Sequence, residues 1–309
     1  LRDFIFLAAP PMNMKNPRSV FPLAILLCSI TSCGRASLSP QTPIDLPTLS
    51  QQLASCSIVL VGERHGLVEP VQTVESLLSS APADRRFSAL ALEWPQSEQH
   101  AIDSYLAGDD DILKRLEHAY ASTPGTTVEY CSLFGFVRDH NRRFKTDPIA
   151  LYCIDVNAPI QSTAEEARDQ HMFDRLKSLL DSRPQVRVLA YVGSAHALKL
   201  GTTGYARADG TEVQLPTLGA LLNNQYGPKC ASICMLSDKE PVRALLNEAH
   251  PLSAPAAYRP DSWTNPTNLM SISNWRPPPS SDVLSVNQLF DYVIDCPTST
   301  AAHRFDTTP

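Results

Sequence analysis

Apolar residues along this chain come in short unbroken runs, separated by stretches with helical spacing. The runs occupy residues 57–61, 88–92, 149–154, 186–192 and 231–236. Runs of this length without polar alternation predict strands buried on both faces, which is the pattern of a parallel sheet. Between them the apolar positions recur every three or four residues. Val71, Val74, Leu77 and Leu78 share one face, and so do Leu133, Phe136 and Val137, with His140 packed on the same helix. The same period predicts helices over 99–106, 112–120, 128–144, 164–180 and 217–225. Strand–helix alternation of this kind implies a three-layer α/β/α domain with a mostly parallel sheet. The helices between the second and third runs are inserted extras that cap one sheet edge.

The two ends of the chain read differently. The chain opens on Leu1, and its informative start is Met14, followed by Lys15, Arg18 and an apolar run over 20–30. A charged start, an apolar segment too short to span a bilayer and then small residues predict a signal peptide. Its end, Ile30-Thr31-Ser32-Cys33, resembles a bacterial lipobox, in which Cys33 would carry the lipid. Gly34, rather than Asp, after that cysteine resembles lipoproteins released to the outer membrane. The expected organisation is a leader over 1–32, a tether over 33–50, an α/β domain over 51–236 and a Pro-rich arm over 237–309. Residues 290–294 in that arm predict an edge strand, and the last dozen residues predict a loose tail.

Composition narrows the function. A net charge of −6 with no run of Lys and Arg excludes a general nucleic-acid binder. Twelve glycines stand against 26 prolines, with no P-loop and no G-x-G-x-x-G, so a glycine-rich phosphate cradle is not expected. Apart from Cys28 and Cys33, the cysteines are Cys56, Cys131, Cys153, Cys230, Cys234 and Cys296. An oxidising compartment allows them to pair, although Cys153, inside an apolar run, reads as a buried free thiol.

The chemistry lies directly after the apolar runs. Glu63 and His65 follow the first, Glu93 the second, Asp155 the third and His196 the fourth. In parallel sheets ligands bind at the carboxyl ends of strands, so these residues are expected to meet in one cleft. Each also has a plain alternative role. Glu63 could be a solvated loop acid, Asp155 a turn residue with Asn157, and His196 a structural imidazole. Glu93, before Trp94-Pro95, could complement a helix start. The same coincidence after four runs favours a site. Imidazoles with carboxylates suit general acid–base work, or a divalent metal held by His65, His196, Glu63 and Glu93, or haem iron on a histidine. Ser194 lacks the frame of a nucleophile elbow. Crowded buried carboxylates are expected to have raised pKa values and to strain the site.

At these residues the chain resembles a known superfamily. Val61-Gly-Glu-Arg-His-Gly66 is similar to the opening signature of the ChaN-like haem-binding lipoproteins and to the G-E-x-x-H-G of erythromycin esterases. Ala91-Leu-Glu93 with Gln96, Gln99, Ile102, Asp103, Tyr105, Leu106 and Gly108 resembles the second ChaN-type block. Arg168-Asp169 with Met172 resembles an Arg-acid-x-x-Met helix of the group. Tyr191-Val-Gly-Ser-Ala-His196 resembles a late Gly-x-x-His block, shared with the Tiki and TraB proteases. The resemblance implies a site of Glu63, His65, Glu93, Asp155, Arg168 and His196. It also implies an activity among ester or amide hydrolysis, metalloproteolysis and haem or iron binding, on a small molecule, a peptide or haem.

Overall fold

All five apolar runs become strands of one sheet. The computed structural model describes residues 42–120, 127–156, 168–206, 211–236, 254–260, 275–276, 286–296 and 298–303. The leader, Cys33 and most of the Pro-rich arm lie outside the described residues. The strands are β1 (Ile58–Glu63), β2 (Ala89–Pro95), β3 (Ala150–Asp155), β4 (Val188–Gly193) and β7 (Cys230–Leu236). They are joined by β8 (Ala256–Tyr258) and β10 (Tyr292–Asp295) in the order β3-β2-β4-β1-β7-β10-β8. Every neighbouring pair is parallel except β10 with β8. β1, β4 and β7 are buried along their whole length, as unbroken apolar runs require.

One face of the sheet is covered by α1 (Leu46–Gln52), α2 (Val68–Ser80), α3 (Gln99–Ala107), α4 (Asp111–Tyr120) and α5 (Val128–Arg143). The other carries α6 (Arg168–Ser182), α7 (Leu218–Tyr226) and α8 (Val286–Leu289). Each layer buries its own stripe, for example Val71, Val74 and Leu77 on α2 and Met172 and Leu176 on α6. Full burial of such a side chain contributes about 1.5–3 kcal/mol. This is the expected three-layer α/β/α fold.

Several expectations at the edges change. Residues 292–295 form a strand as anticipated, but β10 lies one place inside the sheet and β8 takes the edge. A second, antiparallel sheet of β6 (Glu212–Pro216), β5 (Thr202–Ala206) and β9 (Trp275–Arg276) was not anticipated from the apolar runs. Its strands are short, of two to five residues, and none contains an unbroken apolar run. Part of the expected tether belongs to the fold, because Ile44 exchanges both backbone hydrogen bonds with Ala257 at 2.8 Å. The tail is not loose as far as His303. The Ala302 N–H donates to the Gly66 carbonyl at 2.9 Å, and the Val68 N–H donates to that of Thr300 at 3.1 Å. Cys56, Cys131, Cys153, Cys230, Cys234 and Cys296 are all buried free thiols. Cys153 therefore sits as expected, and the described residues hold no disulfide framework.

Strand β4 lies between β1 and β2, so the ends of β3, β2, β4 and β1 stand side by side. A side chain at Gly62 would put its Cβ 2.8 Å from the Ala197 Cβ and 2.9 Å from the Ser194 Cα. Glycine there lets the turn after β4 close down onto the end of β1.

Candidate active site

The sheet brings together all six residues singled out from the sequence. Glu63 and Asp155 are the last residues of β1 and β3. Glu93 lies within β2, where the register with β3 shifts between Leu92 and Pro95. Trp94 and Pro95 therefore finish the strand and a 3-10 turn, Gln96–Glu98, begins directly after them; the Glu93 carboxylate is instead taken up by Gly193 and Arg168. Asn157 lies outside the described residues. His140 stays on α5, its ring 4.8 Å from that of Phe144 and outside the cluster, as expected.

Glu93 is the hub. Its Oε2 accepts the Gly193 N–H at 2.6 Å, and its Oε1 accepts from Arg168 at 2.5 Å. Two imidazoles face the same carboxylate, His196 Nε2 at 3.6 Å from Oε1 and His65 Nε2 at 3.8 Å from Oε2. Each imidazole is held from behind through its other nitrogen. His65 Nδ1 lies 2.8 Å from Glu63 Oε1, and His196 Nδ1 lies 2.7 Å from Asp169 Oδ1. Asp169 is fixed in turn by the Leu218 N–H at the start of α7, at 3.0 Å. Arg168 reaches Asp155 with Nε at 2.7 Å and with a terminal nitrogen at 2.6 Å, and its pairing with Glu93 bridges the ends of β3 and β2.

Asp169 is the functional residue that strand-end reasoning missed. It sits on α6, not at a strand end, and its only signal was its place beside Arg168 in the Arg-acid pair. Tyr130 was also missed. It comes from α5 and stacks between Trp94 and Tyr191, with ring centroids 5.7 and 5.6 Å away. Burial, with the charge of Glu63 near both and that of Glu93 near Tyr130, holds the Tyr130 and Tyr191 phenols neutral, well above their ordinary pKa.

The electrostatics overturn the expectation of strained, protonated carboxylates. Burial alone would raise Glu93, but His196, His65 and Arg168 outweigh it and hold the carboxyl well below its ordinary value. Burial likewise opposes charge on the imidazoles. The hydrogen bond that His65 donates to Glu63 and the charge of Glu93 nevertheless lift His65 to about 9, and Asp169 and Glu93 lift His196 to about 10. The Glu93 carboxylate is neutralised by its partners and not by a proton. The cluster opens to solvent at one member: the His65 side chain is 39% exposed, against 11% for His196 and 5% for Glu93.

This arrangement does not suit the metal reading. Glu63 and Asp169 are turned toward imidazole nitrogens, and Arg168 occupies Glu93 and Asp155, where a cation would sit. Among the described residues no group of three or more His, Cys, Asp or Glu converges as metal ligands. Among the described residues the nearby aromatics offer no apolar wall of the kind haem needs. Trp94, Tyr130 and Tyr191 are buried and stacked on one another. Cavities of about 760 and 410 Å³ are lined by other residues, around Tyr152 and Arg175 and around Cys56 and Tyr292.

No family model and no curated protein matches the chain. Solved structures do. A variant of the erythromycin esterase EreC in its open conformation superposes with a TM-score of 0.60 at 11% identity, over 87% of this chain and 100% of that one. A succinoglycan biosynthesis protein gives 0.58 at 12% identity, over 87% and 97%. ChaN of Campylobacter jejuni with cofacially bound haem gives 0.36 at 12% identity, over 84% and 96%, too slight a likeness to argue from. At these identities the likeness is one of fold.

Proposed function

We propose that this protein hydrolyses a small-molecule ester or amide by general acid–base chemistry. The observation that carries the reading is the pair of imidazoles, each fixed through Nδ1 by its own carboxylate and each turning Nε2 toward Glu93. A carboxylate on Nδ1 sets the tautomer and steadies the imidazolium, which is what a general base requires. His65, the exposed member, acts in its neutral form, which gains population as pH rises toward about 9, and takes a proton from water at Nε2 as that water attacks the substrate carbonyl. Glu63 stabilises the charge that forms on its ring. His196, buried and protonated, and Arg168 supply positive charge for the developing oxyanion. The proton held by His65 then goes to the departing alkoxide or amine. Glu93 stays ionised throughout and keeps both rings and Arg168 in place. The fold shared with an esterase is compatible with this reading.

We further propose that the protein works in the bacterial envelope, lipid-anchored through Cys33 to the outer membrane and facing the periplasm. The charged start at Met14, the apolar run over 20–30 and Cys33 support this. No helix of the described residues is long and apolar enough to cross a membrane.

The test is hydrolysis of a panel of activated and natural esters and amides, run beside haem titration. His65→Ala and His196→Ala are each expected to lower kcat/KM by about 10²–10⁴-fold, with no stoichiometric haem binding by the wild type. A Soret band that saturates at a defined stoichiometry and disappears in either variant, with no hydrolysis by the wild type, would make the haem- or iron-binding alternative the correct one.

A further inference from the structure

The loop that carries His65 is held by a segment more than two hundred residues later in the chain. After Cys296, residues 298–303 run antiparallel to the turn that follows β1, with Leu67 bridged to Ala301. Gly66, at φ +86°, makes that turn, and its carbonyl accepts the Ala302 N–H. A positive φ is a conformation that L residues other than glycine adopt at a cost, so Gly66 keeps the turn tight immediately after His65. Beyond it, Glu69 gathers the segment. Its Oε1 accepts the Thr298 hydroxyl at 3.1 Å, and its two carboxylate oxygens accept the Thr300 N–H at 2.9 and 3.0 Å. Further along, His303 donates its N–H to Glu129 at 2.9 Å and sets Nδ1 2.5 Å from the same carboxylate, and its carbonyl accepts the Val128 N–H. Val128 and Glu129 open α5, the helix that brings Tyr130 over the site.

A glutamate in the first turn of a helix is ordinarily explained by the helix dipole. That does not explain Glu69, which is buried and spends its acceptors on a remote strand. Burial works against its charge, and the Thr300 and Thr298 hydrogen bonds more than compensate, so it stays ionised. The strap thus ties two walls of one cluster: the His65 turn at one end and the start of α5 at the other.

From this geometry we infer that Glu69 is a positioning residue, which clamps residues 298–303 against the turn that follows β1 and so fixes the orientation of His65 against Glu63. The inference rests on the reading of His65 as the base, and its main readout is independent of hydrolysis. In the full chain, the His65 imidazole is followed by NMR through its titration. Glu63, Glu93 and His196 are the titratable groups acting on it. In Glu69→Ala the His65 midpoint is expected to fall from about 9 toward the ordinary ~6.5, while that of His196 stays. On an ester that the wild type cleaves, kcat is expected to drop by about 10- to 100-fold with KM little changed, the signature of a misplaced group. Glu69→Gln, which keeps one acceptor oxygen, is expected to recover part of both. Thr298→Val removes one hydroxyl from the same clamp and is expected to move His65 in the same direction; it decides the matter should Glu69→Ala fail to fold. A His65 midpoint and kcat unchanged in Glu69→Ala would overturn the inference. Should the wild type cleave no ester at all, the proposed function falls, and the NMR arm still judges the strap.

Discussion

At the scale of single residues, the site is a chain of paired charges in which no carboxylate is left to repel another. Glu63 pairs with His65, Asp169 with His196, and Arg168 with Asp155, while Glu93 meets the two imidazoles and Arg168 together. Removing the hub therefore exposes cations that were raised by it. Truncating one partner of a buried pair costs about 3–5 kcal/mol, so Glu93→Gln is expected to lower the melting temperature by roughly 10 °C at neutral pH. The sign of the pH dependence follows from the imidazoles. Their folded pKa values lie above the unfolded ~6.5, so their contribution is complete below that value and is lost as pH rises through about 9 for His65 and about 10 for His196. Wild-type stability is expected to decline between pH 7 and 10, and Glu93→Gln to decline less over the same range. Melts by calorimetry from pH 6 to 11 check both, and parallel profiles for the two proteins would show that Glu93 does not set the imidazole charges.

At the scale of elements, the close fit of β4 against the site predicts a second outcome. A Cβ on Gly193 would lie 3.0 Å from His65 Nε2 and 3.5 Å from Glu93 Oε2. Gly193→Ala should push the His65 ring out of line, and kcat should fall by about 10- to 100-fold with little change in the melting temperature, because only a side-chain tip has to move. Steady-state kinetics beside a thermal melt separate this from simple unfolding. The strands that carry the site were legible in the sequence because each is an apolar run ended by an ionisable residue, and that pattern survives into the fold for Glu63, Asp155 and His196. Glu93 was found for the right reason but given the wrong local structure, since the β2 irregularity carries the strand on through Trp94 and Pro95. Asp169 and Tyr130 were not legible at strand ends because they come from helices, whose rotation about the sheet is set by packing on β3, β4 and their neighbours. The strap over 298–303 was read as a loose tail because its polar sequence carries no buried run. Its order comes from Glu69, Gly66 and Glu129, all distant in sequence.

At the scale of the whole molecule, three layers around a mostly parallel sheet give a scaffold shared, among solved structures, with an erythromycin esterase variant and a succinoglycan biosynthesis protein, and a shared fold does not by itself fix the chemistry. The proposed anchoring rests on the chain outside this scaffold. Cys33→Ser is expected to release the protein from membranes, since acyl chains would supply nearly all of its membrane affinity; fractionation after a salt wash checks this, and a variant still in the pellet refutes the lipobox reading. The strand order carries a further consequence, for the moment at which the active molecule comes into being. β1 and β2 follow one another in the chain but are not neighbours, because β4 inserts between them. A nascent chain that has emerged through Glu93 holds the hub and one imidazole, yet it has no scaffold to set them face to face. Only when residues 188–193 slot into the gap does the Gly193 N–H reach Glu93, and only then do the two histidines confront each other. Such long-range insertion is slow relative to local helix formation. Competence should therefore appear late and all at once during refolding, after most of the helical signal has already returned.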